Sequence, residues 1–213
     1  MKTAYKITMP ILTLGIIPVL FFMPFLHLNI TSSLAGSLMS NLGMSEYQSI
    51  YNIVKFGGNM DETQSALWRT IGNAIMDKDG KIGSVLTNTK YLYVFAVFAC
   101  LMLLFAIAAA VLSIATKKYG ITTCFTLASL ISAFAMNKSF DAFAKPLLTG
   151  EISISSFLSG SGSGSGNILS NLLGSLAKVE SLELSFAYSF TFLILIIAVI
   201  FSVIALIYQK NSK

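Results

Sequence analysis

A chain of 213 residues has room for one or two ordinary domains, yet 55% of these residues are hydrophobic, 11% are charged, and the mean hydropathy is +0.77. Soluble domains carry about a quarter charged residues, so this composition excludes an ordinary water-soluble enzyme or binding domain and points to lipid as the solvent for much of the chain. The net charge of +5 comes from lysines at the ends of apolar runs, where anionic headgroups are the counterions, and calls for no nucleic acid.

Four windows without a charged residue carry the organisation: residues 7–26, 91–116, 119–137 and 184–209. Each approaches or exceeds the roughly 20 residues that a helix needs to cross about 30 Å of hydrocarbon. Helix is the expected state, because an open strand would leave backbone groups unpaired in lipid. The reading is an all-α integral membrane protein: a four-transmembrane-helix bundle with an extracytoplasmic cap of short amphipathic helices, all in one membrane domain.

The first window, ITMPILTLGIIPVLFFMPFL, holds Pro10, Pro18 and Pro24. Each removes a helical hydrogen bond, which suits either a kinked element lining a path or the ordinary tolerance of proline in membrane helices. The basic start MKTAYK and the small residues of SSLAGS also suit a cleaved signal peptide. The apolar run of 20 residues exceeds the usual 7–15, and the reading is a retained anchor.

The loop at 27–90 carries helical signals. Ser45 and Gln48 have capping-box spacing, followed by Tyr47, Ile50, Tyr51 and Val54 on one helical face and a stop at Gly57 and Gly58. Asp61 and Gln64 repeat the cap before an apolar stripe of Leu67, Trp68, Ile71 and Ile75. These four residues form a candidate interaction surface, since a stripe of this kind is rarely left in water. A weaker third helix follows from Leu34, Leu38 and Leu42. The segment DKDGKIG lacks the glycine and glutamate positions of a calcium loop and reads as a solvated turn.

The third window places Thr122, Thr126, Ser129 and Ser132 in the membrane, with Ala128/Ser132 and Ser129/Ala133 at small-xxx-small spacing. Hydroxyls and small residues of this kind either glue helices together or line a path. The loop at 138–183 contains a short alternating piece, EISISSFL, then the Ser-Gly run of residues 159–166, which has no preferred structure. After it, Leu172 and Leu176 fall on the apolar side of an amphipathic helix, with Lys178 on the polar side. The run thus links two parts of one loop.

The charges set an orientation. Lys2, Lys6, Lys117, Lys118, Lys210 and Lys213 lie at the termini and the short link between windows two and three, where there is no acid; the two long loops hold eight basic and nine acidic residues. By the positive-inside rule both termini are cytoplasmic and both long loops extracytoplasmic. Tyr91, Tyr93 and Tyr188 then fall near the outer interface, and Tyr5, Tyr119 and Tyr208 near the inner one, as an aromatic belt requires.

Four spans and a first outer loop containing ALWRT resemble claudin-type tetraspans in outline. The cysteine pair expected beside that tryptophan has no counterpart, since Cys100 and Cys124 lie within windows two and three, and the loop reads helical rather than β. The chain is not assigned to that family.

No catalytic, metal-binding or cofactor-binding constellation is legible. His27 is the sole histidine and reads as an interfacial residue at the end of the first span. The spans contain no Asp, Glu, Lys or Arg, the residues that mark proton and ion relays. The expectation is a non-enzymatic protein without a cofactor: a structural, assembly or accessory subunit whose partners are membrane lipids and other membrane-protein subunits or copies of itself. The alternative is a pore or transport component with the first and third spans lining the path.

Overall fold

The structure, a computed structural model, describes residues 2–31, 47–52, 83–116, 119–149 and 178–211. In chain order the elements are α1 (Lys2–Leu14), α2 (Ile16–Phe22), β1 (Pro24–Thr31), β2 (Tyr47–Ser49), α3 (Gly83–Ala115), α4 (Tyr119–Leu148), β3 (Lys178–Leu184) and α5 (Phe186–Asn211). Four helical stretches are long and apolar enough to cross a membrane: Thr3–Phe22, Lys90–Ala115, Tyr119–Leu148 and Phe186–Asn211. The chain divides into two compact units: Met1–Phe25 with Val94–Ser139 and Leu184–Lys213, and Leu26–Tyr93 with Phe140–Glu183.

In the first unit, each helix turns inward a face that mixes small and hydroxyl-bearing residues with a few larger apolar ones. On α5 these are Ala187, Thr191, Leu195, Ala198, Ser202 and Ala205, three or four residues apart and so on one face. On α3 they are Met102, Ala106, Ala109, Ala110 and Ser113; on α1 and α2, Tyr5, Met9, Thr13, Ile16 and Leu20. Bulky residues such as Ile11, Leu104, Ile131 and Ile197 are exposed. An apolar exterior of this extent suits hydrocarbon rather than water, and the small interior lets helix backbones approach. Both α1 and α2 pack on α5.

The first span is two helices. Pro18 has no N–H to donate to the Leu14 carbonyl, so the ladder stops there. Gly15 bridges the gap, its N–H donating to Ile11 O at 2.9 Å. A Cβ on Gly15 would sit 2.7 Å from that same carbonyl oxygen, which explains the glycine. Pro18 stands in the first turn of α2, where a missing N–H costs nothing, and Pro10 lies inside α1.

The expectation of an all-α fold is corrected by a three-stranded sheet of order β2-β1-β3. Pro24, assigned to the first span, instead opens β1. Its first three residues, Pro24, Phe25 and Leu26, prolong the apolar run, so hydropathy merged them with the helix before them. By strand alternation Phe25, His27 and Asn29 share one face, and Leu26 and Leu28 the other. Ser185 N donates to Phe25 O at 2.9 Å and His27 meets Glu183, an antiparallel register of β1 with the end of β3. Lys178, assigned to an amphipathic helix, starts β3.

The expected helix from Ser45 begins later. Residues 47–49 are strand and 50–52 helical. Ser49, not Ser45, acts as the cap, its Oγ accepting from Asn52 N at 3.1 Å. Two spans also run longer than expected. Helix α3 begins at Gly83 rather than 91, and α4 continues to Leu148 rather than 137. Lys138, Asp141 and Lys145 share a helical face by spacing, but their charges ended the apolar window.

Candidate functional site

Two clusters stand out, one in each unit. The first is built on Tyr5 of α1, fully buried with Met9, Tyr119, Ala198 and Ala205. Its ring lies 4.3 Å from that of Tyr119 and 5.8 Å from that of Phe201. Its hydroxyl is 3.0 Å from Ser202 Oγ, which is 3.0 Å from Thr123 Oγ1. Thr123 donates its one hydroxyl proton to Tyr119 O at 2.9 Å, so it accepts from Ser202, and Ser202 accepts from Tyr5. A directed chain of hydroxyls thus joins α1, α5 and α4. Tyr119 N also donates to Gln209 Oε1 at 3.3 Å.

The candidate path-lining residues of α4 are all buried, and most of their hydroxyls are bound to backbone. Thr126 Oγ1 donates to Thr122 O and Thr123 O at 3.1 and 2.9 Å, Ser132 Oγ to Ala128 O at 2.9 Å, and Ser129 Oγ crosses to Met102 O on α3 at 2.8 Å. Ala133 is buried on the same side, so the small-residue spacing serves the chain's own bundle. Thr122 neighbours the Tyr5 hydroxyl, but its Oγ1, like Thr191 Oγ1 on α5, is buried without a well-formed hydrogen bond. Of the three prolines, Pro10 and Pro24 are half-buried and Pro18 is exposed.

The second cluster lies on the sheet. His27 Nδ1 is 3.2 Å from Glu183 Oε1 and 3.5 Å from Ser181 Oγ, and its ring stacks on Tyr47 at 4.5 Å and 16°. Serine, histidine and a carboxylate together suggest nucleophilic catalysis, but the geometry opposes it. A triad uses the two ring nitrogens for different partners, whereas here serine and carboxylate share Nδ1. Among the described residues no group of three His, Cys, Asp or Glu could hold a metal ion.

The candidate interaction residues Trp68, Leu67, Ile71, Ile75, Leu172 and Leu176, together with the Ser-Gly run, lie outside the described residues. Sequence reasoning missed both clusters. Tyr5, read as lying near the inner interface, is fully buried against the other helices, which its position in the sequence did not announce. A signal existed in Ser202, the one hydroxyl between Phe192 and Ile207, since a lone polar residue in an apolar span seeks a partner. The pairing of His27 with Glu183 joins positions 156 residues apart, and no local spacing announces it.

No family model, no curated protein and no solved structure shows significant similarity to the chain. What the fold defines is a class: four apolar helices of spanning length make this a multi-pass membrane protein.

Proposed function

We propose that the chain is a non-enzymatic structural, assembly or accessory subunit of a membrane complex, with both termini cytoplasmic and both long loops extracytoplasmic. The observation that carries this reading is the use made of the bundle's hydroxyls. Those of Thr126, Ser129 and Ser132 are bound to backbone carbonyls, and those of Tyr5, Ser202 and Thr123 to one another. Such groups hold helices together and leave few donors facing a solute. Contact with partners then falls to the outer loops, where Trp68 on its apolar stripe is the best anchor. Aromatic anchors at interfaces commonly lose at least about 2 kcal/mol on truncation.

The deciding experiment is purification from the native membrane with identification of what accompanies the chain. Stoichiometric partner subunits, released by Trp68→Ala while the four spans still insert, support the reading. A chain that purifies alone and assembles normally as Trp68→Ala contradicts it. The pore reading keeps one observation in its favour: the buried hydroxyls of Thr122 and Thr191 lack well-formed bonds. Solute flux through the purified protein in liposomes, abolished by Thr122→Val, would establish it.

A further inference from the structure

We infer that His27 is an acid-strengthened clasp on the three-stranded sheet, a neutral hydrogen-bonded ring at alkaline pH that becomes a charged link between β1, β2 and β3 on acidification. The side chain belongs to the central strand. It reaches Glu183 and Ser181 on β3 and stacks on Tyr47 of β2, so one ring touches both neighbouring strands. Among the described residues, the titratable groups facing it are the Glu183 carboxylate and the Tyr47 phenol. Glu180 points to the other face of β3 by strand alternation.

The chemistry fixes where the protons sit. An ionised carboxylate only accepts hydrogen bonds, so the Nδ1 at 3.2 Å from Glu183 Oε1 carries a proton in the neutral ring. Ser181 Oγ at 3.5 Å can take a weaker share of the same N–H. The site that titrates is therefore Nε2, and its protonation leaves the Nδ1 bond in place while giving it charge. A charge-assisted bond is the stronger kind, and a cation against the Tyr47 face gains further.

The sign follows from the charges. Carboxylate and phenol ring both favour the imidazolium, so the added stability is present below the range near 6.5 where imidazoles ordinarily titrate, and fades as pH rises through it. The ring's burial opposes charging, with 15% of the side chain exposed, and Glu183 at 67% exposure keeps its hydration. The net effect on local opening is therefore a factor of about two to five. On the proposed orientation, the sheet reads the pH of the outer compartment.

The test uses the full-length chain in lipid nanodiscs. Because the chain has a single histidine, nitrogen NMR of labelled imidazole reports one ring. The expected result is Nδ1 protonated at pH 5.5 and at pH 8, with Nε2 titrating between. Hydrogen exchange of the β1 and β3 amides, corrected for intrinsic chemistry, should show opening about two- to fivefold rarer at the lower pH. The variant Glu183→Gln, which replaces an exposed carboxylate by an amide of the same size, should bring this ratio toward one. A neutral ring with its proton on Nε2, equal protection at the two pH values, or a wild-type ratio retained in Glu183→Gln would each overturn the inference.

Discussion

The helical bundle and the sheet solve one problem, the placement of polar side chains, in opposite ways. In the bundle no Asp, Glu, Lys or Arg falls between Ile7 and Phe22 or between Phe192 and Ile207, and buried hydroxyls bond mainly to backbone or to one another. In the sheet a histidine and a carboxylate meet directly, and Glu183 stays largely exposed. The difference teaches that the solvent assigns the work. Hydrocarbon offers a stray donor no partner, so the protein must supply one. Water hydrates the free side of a carboxylate, so an ion pair there is tolerated and worth little unless the geometry restricts it.

The sharpest way to break this comparison is to remove the hub of the bundle. Tyr5→Ala deletes a fully buried ring packed on Tyr119 and Phe201 and should destabilise the bundle by about 3–5 kcal/mol, read as reversible unfolding in mixed micelles. Tyr5→Phe removes only the first link of the hydroxyl chain. Ser202 keeps its bond to Thr123, so the loss should be about 1 kcal/mol. Equal losses from the two variants would mean that the hydroxyl, not the ring, holds α1.

Gly15→Ala tests the break in the first span. The added methyl meets the Ile11 carbonyl, a backbone atom that cannot rotate aside, and a cost of about 1–3 kcal/mol is expected in the same assay. The smallest effect belongs to Ser129→Ala, which removes one bond between α4 and α3. Interhelical hydrogen bonds in membranes average about 0.6 kcal/mol, and Ser132→Ala, whose bond stays within α4, should cost less still. A larger loss at Ser132 than at Ser129 would undo the distinction between bonds that join helices and bonds that satisfy one helix.

The legible parts of the fold are those that lipid dictates. Three of the helix ends beside lysines fell within two residues of expectation, α3 ending at Ala115, α4 starting at Tyr119 and α5 ending at Asn211, because lysines mark where an apolar run stops; the first helix starts at Lys2, five residues before the expected window. Ends were misjudged wherever a helix continues beyond the apolar window, as α4 does through Lys138, Asp141 and Lys145. There the helical hydrogen-bond ladder persists after the hydropathy signal has gone. The start of strand β1 was hidden for the converse reason, residues 24–26 being as apolar as the helix before them. The cap at Ser49 was missed because Ser45 offered the same chemistry four residues earlier, and the strand pairing of Tyr47–Ser49, a non-local interaction, decided between them. Of the candidate site residues, those of α4 were visible as a hydroxyl stripe. The partners of Tyr5 and His27 lie 197 and 156 residues away in sequence and become visible only once the chain is folded.

The central proposal is that the four helices cross the membrane with both long loops outside and both termini inside. Glu180 on β3 and Asn211 at the end of α5 are both exposed, so single cysteines at these positions, in a chain whose Cys100 and Cys124 are replaced by alanine, can be probed in sealed cells with a membrane-impermeant maleimide. The predicted result is that Glu180→Cys labels in intact cells and Asn211→Cys only after lysis. Labelling of both positions from outside, or of Asn211→Cys alone, would contradict it.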